Sequence, residues 1–478
     1  MINRIQWSIS LALMICWNLN ASDIRITEIL ILGNKITKDF IILRELPFSA
    51  GEIFTEEALI KHLQVATENL NNTSLFNYVY TDYLPDISAV ISEADGMNAL
   101  DYAGYKSCIV TIRVEERWYL WPQLSIKFED RNLSNWLHEK DFSRLTIGAG
   151  VWLDNIWGLR HTLSNFNYLG FQKGFRLSYS NIAIDKKRTQ MLSFHVASLY
   201  KKTINVISEN DKVIYVKDPD NYLDRTFEGD INYSYRPGIR NTHRVNVGFQ
   251  RIHLGDTVLK INPHYWGTDK LTNNLFKVTY TFSHEHRDYA VYPTKGYFTN
   301  TEVKTIAADD FHFFYGSLIL RLQYYKDLST RWFWSSRLNA GVTFRNKQAN
   351  FLDRNVGYDE KNIIGYDYYV IDGPHFAILN NDIRFCLMPK RIFNVGSWDK
   401  LRKFSKIHFA LYAKLSYDMA YINDKYRQPS NTLANTYIWG SGIGLDLATY
   451  YDIVLNCSYA INKIGERGLF FGIKAPIF

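Results

Sequence analysis

Hydrophobic and polar residues alternate along the stretch 407–421, which reads IHFALYAKLSYDMAY. Leu411 and Leu415 lie on its apolar face, and Lys414 and Asp418 lie on its polar face. A period of two residues predicts a β-strand with two different faces. Strands of soluble proteins usually have about five or six residues, whereas a transmembrane strand needs roughly 9–11. The stretch is therefore long enough to cross a membrane as a strand.

The same alternation returns along the chain after residue 117. It is found at 145–153, 276–282, 318–324, 332–344 and 453–461. An arginine or lysine facing lipid at mid-bilayer would cost about 2–4 kcal/mol, so we expect the charged positions between the apolar ones to face a wet interior. Repeated strands of this kind predict a closed β-barrel, because closure satisfies the backbone groups that an open sheet would leave unpaired in lipid.

Composition supports a barrel over a bundle of membrane helices. The mean hydropathy is −0.23 and 15% of residues are aromatic, and no run of about 18 apolar residues follows the first twenty. The net charge of +7 comes from basic residues spread along the chain, which does not indicate nucleic-acid binding. Sixteen strands in 118–478 would leave roughly 22 residues for each strand and connection. Fourteen or eighteen strands fit nearly as well.

The N-terminus has the pattern of a secretory signal peptide. Arg4 precedes an apolar core at 9–17, and the small residues Ala21 and Ser22 follow it. We therefore assign residues 1–22 to a signal peptide, and Cys16 lies within it. The remaining cysteines, Cys108, Cys386 and Cys457, are an odd and scattered set that predicts neither a disulfide framework nor a metal site.

Residues 23–116 follow a different rhythm and predict a small α+β domain. The expected order is strand, helix, helix, strand, strand. Thr37 is placed to cap a first helix that runs to Leu46, and a second helix is expected to start at Thr55, with Glu56 and Glu57 in its first turn. The strands are expected at Ile24–Leu32, Phe76–Leu84 and Cys108–Val114.

This order resembles a POTRA domain, the periplasmic module of the BamA/TamA superfamily of outer-membrane proteins. The supporting residues are Gly33-Asn34-Lys35, Leu75-Phe76-Asn77-Tyr78-Val79 and Val110–Glu116. The resemblance implies a domain that binds client segments or partner proteins, partly by adding a strand to an exposed sheet edge. The alternative is a plug or spacer without a binding role.

Two later motifs also resemble this superfamily. The first is a mid-barrel turn with the residues Tyr292, Pro293, Thr294, Lys295 and Gly296. The second resembles the tip of the long sixth extracellular loop, with the residues Ile363, Ile364, Gly365 and Tyr366, and with Gly373 after it.

One position of the loop tip departs from the superfamily pattern. Ile364 stands where the superfamily has an arginine that pairs with acidic residues inside the barrel. The loop must then be held by packing, by another cation such as Lys361 or Arg354, or less firmly.

The end of the chain resembles the sorting signal of outer-membrane barrels, with Phe471, Ile473 and the terminal Phe478. In the superfamily the last strand meets the first at a weak seam that is proposed to open. Our seam candidates are glycines at polar-face positions of early and late strands: Gly148, Gly150, Gly440, Gly442 and Gly444. Glycine there can also permit bending or a close-packed loop, or simply reflect curvature.

Signatures of catalysis are weak. His284 and His286 share one face of a strand without a third ligand nearby, and the segment 440–444 lacks the spacing of a nucleophile elbow. No phosphate loop or dinucleotide fingerprint occurs. We expect no catalytic residue, no metal and no cofactor.

The sequence thus predicts a POTRA-like βααββ domain at 23–116 and an all-β antiparallel transmembrane β-barrel at 117–478, and the resemblance implies that the barrel is 16-stranded. The resemblance implies a non-enzymatic assembly or translocation factor in the outer membrane of a Gram-negative bacterium, with the N-terminal domain in the periplasm. The partners implied are the lipid bilayer, unfolded outer-membrane or secreted client proteins, and periplasmic or lipoprotein partners of the POTRA domain, but no nucleic acid. The alternatives are a passive channel or lipid-handling barrel and an outer-membrane hydrolase.

Overall fold

The computed structural model describes residues 23–86, 106–128, 145–170, 172–218, 220–267, 269–358, 361–394 and 406–474. The expected signal peptide, 1–22, and Phe478 lie outside these ranges. The chain divides into two compact units. The first contains the described residues up to Arg117 together with Trp157–Arg160, and the second contains the rest.

The elements are, in chain order, β1 (Ile24–Leu32), α1 (Asp39–Leu43), β2 (Ile53–Phe54), α2 (Glu56–Asn72), β3 (Phe76–Pro85), β4 (Lys106–Glu116), β5 (Leu120–Phe128), β6 (Leu145–Ile156), β7 (His161–Gly170), β8 (Gln172–Ala183), β9 (Gln190–Lys201), β10 (Thr203–Glu209), β11 (Lys212–Lys217), β12 (Asp224–Tyr235), β13 (Asn241–Leu254), α3 (Asp256–Ile261), β14 (Thr272–Arg287), β15 (Gly296–Ala308), β16 (Phe314–Asp327), β17 (Trp332–Arg345), β18 (Arg354–Val356), β19 (Ile371–Asp372), β20 (His375–Asn394), β21 (Lys406–Asn423), β22 (Tyr437–Thr449), β23 (Val454–Asn462) and β24 (Arg467–Lys474). No helix in the described ranges is long and apolar enough to cross a membrane.

The first unit is a four-stranded sheet in the order β2-β1-β4-β3, with β1 and β4 parallel. The predicted order of strands and helices is present, and the short strand β2 is an addition. Thr55 caps α2, since its hydroxyl accepts a hydrogen bond from the Ala58 N–H. The helix buries one face at helical spacing, and fully burying a leucine side chain contributes about 1.5–3 kcal/mol. The buried residues of this face are Leu59, Leu63, Ala66 and Leu70.

The prediction that Thr37 caps the first helix is wrong. The helix begins at Asp39 after the N-cap residue Lys38, and it ends at Leu43 rather than Leu46. The Thr37 backbone N–H and hydroxyl both donate to Oε1 of Glu116, at 2.6 and 2.8 Å. The Thr37 hydroxyl, which the sequence predicted to cap the helix, therefore donates to the Glu116 carboxylate at the end of β4.

The second unit is built around one 16-stranded antiparallel sheet. Its order is β5 to β9, then β12 to β17, then β20 to β24. The remaining pairs, β10 with β11 and β18 with β19, form two small sheets within the connections. The predicted fold class and the count of sixteen strands are confirmed.

The two faces of this sheet are inverted relative to a soluble protein. On β21, Leu415 and Tyr417 are 51% and 42% exposed, whereas Ser416 and Asp418 between them are 3% and 5% exposed. Phe276 and Val278 on β14 are likewise exposed. The apolar face points outward and the polar face inward, as the alternation predicted.

The sheet curls so that β5, at one edge, approaches the turn between β22 and β23. We call the end at which β5 begins the near end, and the opposite end the far end. The Trp121 ring on β5 lies 4.7 Å from the ring of Tyr451, which belongs to the near-end turn between β22 and β23. Within the described ranges β5 pairs with β6 and β24 pairs with β23, and no ladder joins β5 to β24. The expected closing ladder is thus not observed there.

Candidate functional site inside the sheet

The inward faces of β17 and of β20 to β22 bring charged residues together. Arg337 donates to Asp382 at 2.8 Å, and Ser416 donates to the other oxygen of the same carboxylate at 2.6 Å. On the neighbouring strands the Lys414 ammonium lies 3.1 Å from Asp446. The period of two along each strand places these side chains on one face, because positions two apart point the same way. The cluster is therefore a consequence of the same alternation that predicts the strands.

The mid-barrel turn, residues 288–295, is closed by its own aspartate. Asp288 accepts hydrogen bonds from the Thr294 N–H at 3.0 Å and from the Thr294 hydroxyl at 2.5 Å. Gly296 follows at φ +100°, and a Cβ there would overlap the backbone oxygen of His286. Only glycine adopts this conformation readily, so the motif fixes the shape of the turn.

This turn lies against the interior charged cluster. The Tyr292 hydroxyl donates to Asp446 at 2.8 Å. The Arg384 guanidinium stacks 4.7 Å from the centre of the Tyr292 ring and donates to the Pro293 oxygen at 2.5 Å. The Lys474 ammonium, at the end of β24, lies 3.4 Å from the Val291 oxygen. The turn thus contacts both the cluster and the last strand of the sheet.

The loop-six tip, residues 363–366, reaches the same inner face from the far end. The Ile364 N–H donates to Asp418 at 2.9 Å, and the Asn462 side chain donates to the Gly365 oxygen at 2.8 Å. Tyr366 is 1% exposed, and its hydroxyl donates to the Trp439 oxygen at 3.2 Å. Packing and neutral backbone groups hold the tip at this point, where the superfamily uses a charged side chain.

The two cations considered as substitutes act elsewhere in the loop. Arg354 donates to the Asn205 oxygen at 2.9 Å and stacks 4.6 Å from the Phe351 ring. Lys361 donates to Asn355 at 2.8 Å. Gly373, after the tip, donates its N–H to the Asp353 oxygen at 2.8 Å.

The glycines of β22 make room for the loop tip. A Cβ on Gly440 would overlap the Ile364 backbone oxygen, and one on Gly442 would lie 2.8 Å from Cδ1 of the same residue. Gly444 faces Ser458 on the next strand. Close packing of a loop, one of the roles considered for these glycines, accounts for the first two.

None of the five seam candidates lies on an edge strand. Gly148 and Gly150 are on β6, one strand from the β5 edge, and a Cβ on either would contact the Phe166 ring. The β22 glycines are two strands from the β24 edge. Phe471 and Ile473 are on β24 itself, exposed on its outer face. A test of the seam therefore has to use residues of β5 and β24.

A second polar cluster, at the far end, ties three connections together. Asp211, in the β10–β11 hairpin, accepts from the Thr432 N–H and hydroxyl at 2.9 and 3.0 Å. Its backbone oxygen accepts from the Val370 N–H at 2.8 Å. Ser208 of the hairpin donates to Asp372 of loop six at 2.6 Å, and burial raises the pKa of Asp372 to about 6. The hairpin, loop six and the β21–β22 connection are thus fastened at one place.

The sequence analysis placed Asp418 on the polar face of a strand, and it assigned no role to Asp382, Arg384 or Asp418. The signal that could have found them is a charged residue on the inner face of each of several neighbouring strands. The sequence alone does not give the register that brings these residues together. The Asp211 cluster gave no signal, since Asp211 and Thr432 are 221 residues apart in the chain and Ser208 and Asp372 are 164 apart. No group of three or more residues suited to a metal ion occurs in the described ranges.

Comparison with known proteins assigns the architecture. A POTRA family model, described as a surface antigen variable number repeat, matches residues 24–117. The crystal structure of BamA from Haemophilus ducreyi lacking POTRA domains 1–3 matches 94% of this chain and 85% of that chain, with a TM-score of 0.51 and 13% identity. The chain has a BamA-like fold, with a POTRA domain followed by a 16-stranded sheet.

The BamA-like fold is shared with a second solved protein. CdiB from Escherichia coli has a TM-score of 0.51 and 12% identity, over 94% of this chain and 75% of that chain. At identities this low, the two structural matches show a common fold and nothing more. A search of curated protein sequences finds no match.

Proposed function

We propose that this BamA-like chain is a non-enzymatic factor of the bacterial outer membrane that binds unfolded client proteins and inserts or exports them. The observation that carries the proposal is a sheet with an apolar outer face and two edges that have no ladder between them in the described ranges. An edge exposed to lipid would leave backbone groups unsatisfied at a cost of several kcal/mol each. Two such edges can pair with each other, and either edge can instead pair with an incoming client strand.

The exposed apolar side chains support a place in the membrane. The outward residues of β14 and β21 would be unfavourable in water, and they match the apolar band of a transmembrane barrel. The polar cluster on the inner face fits an aqueous interior. The first unit would then lie in the periplasm, where client chains arrive.

The POTRA domain offers an edge at which a client could be bound first. Strand β3 is the last strand of its sheet and pairs only with β4 in the described ranges. Tyr80 and Leu84 on its outer face are 50% and 60% exposed. Main-chain hydrogen bonds to such an edge bind extended peptides with little dependence on their sequence, which suits varied clients.

The contents of the interior favour this proposal over a passive channel. The loop-six tip and the mid-barrel turn both occupy the inner face, and the far-end connections are fastened at Asp211. A permanently open pore would need this space.

The test is depletion of the protein in its own cell, followed by quantitative comparison of the outer-membrane and secreted proteomes. We expect a defined subset of barrel or secreted proteins to fall in abundance while periplasmic proteins stay constant. Restoring the full chain should recover them, whereas a chain without residues 23–117 should not. Unchanged outer-membrane and secreted proteomes after full depletion would contradict the proposal.

A further inference from the structure

A polar cavity of about 360 Å³ lies inside the sheet, between the mid-barrel turn and the ends of the last strands. Its volume falls within the rough 300–1,000 Å³ range of ligand pockets. Tyr292 and Pro293 form one side, and Gly472, Ile473 and Lys474 of β24 form another. The cavity is therefore next to an edge of the sheet and at its near end.

The charges that line the cavity are unbalanced. Four of its described lining residues are basic and two are acidic. The basic residues are Arg337, Arg384, Lys414 and Lys474, and the acidic residues are Asp382 and Asp446. The excess of positive charge favours an anionic group.

The two acidic residues are already saturated by the protein. Asp382 accepts hydrogen bonds from Ser335, Arg337 and Ser416, and Asp446 accepts from Tyr292 and Asn456 besides its ion pair with Lys414. The basic side is less well satisfied. Arg384 is 4% exposed, and the Nε–H groups of Arg384 and Arg337 find no acceptor in the described part of the chain. A buried donor without an acceptor costs roughly 1–3 kcal/mol, so this site is short of acceptor groups.

The direction of β5 determines which part of an incoming chain would meet the cavity. An antiparallel partner of β5 must run from the far end to the near end and so has its C-terminus at the near end. Trp121 of β5 contacts Tyr451 there, which shows that the start of β5 lies close to the β22–β23 turn. The cavity lies beside this point, and Val454 and Asn456 just after that turn are among its lining residues.

From these observations we infer that the cavity binds the C-terminal carboxylate of an extended client chain whose last strand pairs with β5. The carboxylate supplies the acceptors that the Nε–H groups of Arg384 and Arg337 lack, since arginine pairs with carboxylates through charge-assisted hydrogen bonds. Tyr292 and Tyr325, both lining the cavity, provide aromatic surface for the last side chain. The inference rests on the proposed function, because it assigns a site to the client.

The test measures binding of a fluorescent peptide to the full-length protein in detergent micelles by anisotropy. The peptide carries residues 467–478 of this chain, RGLFFGIKAPIF, the strand that closure would place beside β5. It is used with a free C-terminus and with an amidated one, which removes the terminal charge. We expect the free acid to bind about tenfold more tightly, a factor that corresponds to roughly 1.4 kcal/mol.

The variants Arg384→Gln and Lys474→Gln should each reduce the preference for the acid while the amide binds as before. Arg384 and Lys474 contact the mid-barrel turn at different oxygens, those of Pro293 and Val291, so the two variants give separate measurements. Lys277→Gln on β14 removes an inward cation outside the cavity lining and should leave the preference intact.

Equal affinity for acid and amide, or no binding of either peptide, overturns the inference. Inorganic phosphate that binds without any preference for the acid peptide also overturns it, because the site would then serve phosphate groups. A peptide that binds equally in both forms leaves the proposed function standing, since client pairing survives. A clear preference for the acid together with unchanged proteomes on depletion would contradict the proposed function and not the carboxylate site.

Discussion

Ile364 and Gly440 show how a loop can be fastened in an interior without a charged anchor. An isoleucine side chain cannot pair with Asp418, but its backbone N–H can, and that contact requires the loop to approach β22 closely. Gly440 allows this approach, because any side chain there would overlap the Ile364 oxygen. Gly440 on β22 thus permits a backbone contact at the position where the superfamily pattern has an arginine side chain.

This contact predicts the effect of adding one methyl group to β22. Gly440→Ala should displace the loop-six tip and destabilise the barrel domain by about 1–3 kcal/mol, the usual range for overpacking. Gly316→Ala on β16 is the matched control, since its Cβ would lie 3.6 Å from Phe314, an ordinary contact. The measurements are thermal unfolding in detergent and trypsin cleavage within loop six. Equal behaviour of the two variants would show that the tip is not held at Gly440.

Residue-scale features differ in how far the sequence predicts them. The inward position of Asp418 and the outward position of Leu415 follow from alternation alone. The start of the second helix at Thr55 was predicted to within one residue, because its signal is local. The cap assigned to Thr37 was wrong, because its hydroxyl instead donates to Glu116, which lies 79 residues away. The hydrogen bond of Ile364 to Asp418 depends on a loop folding back across the interior, which no local pattern encodes.

At the scale of elements, the far-end connections form a fastened group rather than separate loops. The sequence predicted strands and short turns but not the β10–β11 hairpin, which lies apart from the main sheet and pairs only with itself. Its position depends on the contacts of Asp211 with residues of two distant connections. Long-range polar contacts of this kind have no periodicity, so they were not predictable.

Removing the Asp211 carboxylate should open the far end. Asp211→Ala deletes the acceptor for the Thr432 N–H and hydroxyl, and hydrogen bonds to a charged group contribute about 1.5–3 kcal/mol each. We expect larger and more frequent openings in planar-bilayer recordings and greater sensitivity of cells to bulky antibiotics. Asp211→Asn keeps one acceptor oxygen and should have an intermediate effect. Asp220→Ala, an exposed residue between β11 and β12, should match the wild type. Identical conductance of all four proteins would contradict a closing role for this cluster.

Asp372 makes the same group of connections sensitive to pH. Burial raises its pKa to about 6, above the usual value of about 3.9 for an aspartate. The folded loops therefore bind a proton more tightly than unfolded ones. This contribution to stability is full below about pH 4, is lost as the pH rises to about 6, and changes little beyond that.

Protease cleavage of loop six should accordingly be a fewfold slower at pH 5 than at pH 7.5. At each pH the rate is divided by the rate at which the same protease cleaves an unstructured substrate, which corrects for the pH dependence of the protease itself. Asp372→Asn is neutral at both values, so the variant should lose the difference and resemble the wild type at pH 5. Asp220→Asn, which changes an exposed acid in the connection between β11 and β12, should retain the difference. A wild-type cleavage rate that does not change between these pH values would show that Asp372 titrates normally.

At the scale of the whole molecule, the two edges of the sheet determine what the barrel domain can do. Alternation along individual strands predicted their apolar and polar faces, whereas the number sixteen came from the resemblance to the superfamily. The closed barrel that the sequence predicted requires a ladder between β5 and β24, which depends on how far the whole sheet curls and is not observed in the described ranges. The Trp121–Tyr451 contact brings the start of β5 next to the β22–β23 turn, and no ladder joins β5 to β24 in the described ranges.

If client strands enter between these edges, locking them together should stop client handling without unfolding the protein. The lock uses a reducible bifunctional thiol reagent between Leu124→Cys on β5 and Phe471→Cys on β24, whose native side chains are both exposed on the outer face. Native cysteines are first replaced by serine. The control places the same reagent between Leu455→Cys and Ile473→Cys, which are already neighbours in the β23–β24 ladder.

Both crosslinked proteins should keep the heat-modifiable migration of a folded barrel. Insertion of a radiolabelled client barrel into vesicles that contain the edge-locked protein should fall to the level of empty vesicles, and reduction of the reagent should restore it. The ladder-locked control should insert clients at the rate of the unmodified protein, because it joins strands that never need to separate. Full insertion by the edge-locked protein would mean that clients do not pass between β5 and β24, and the free edges would then need another explanation.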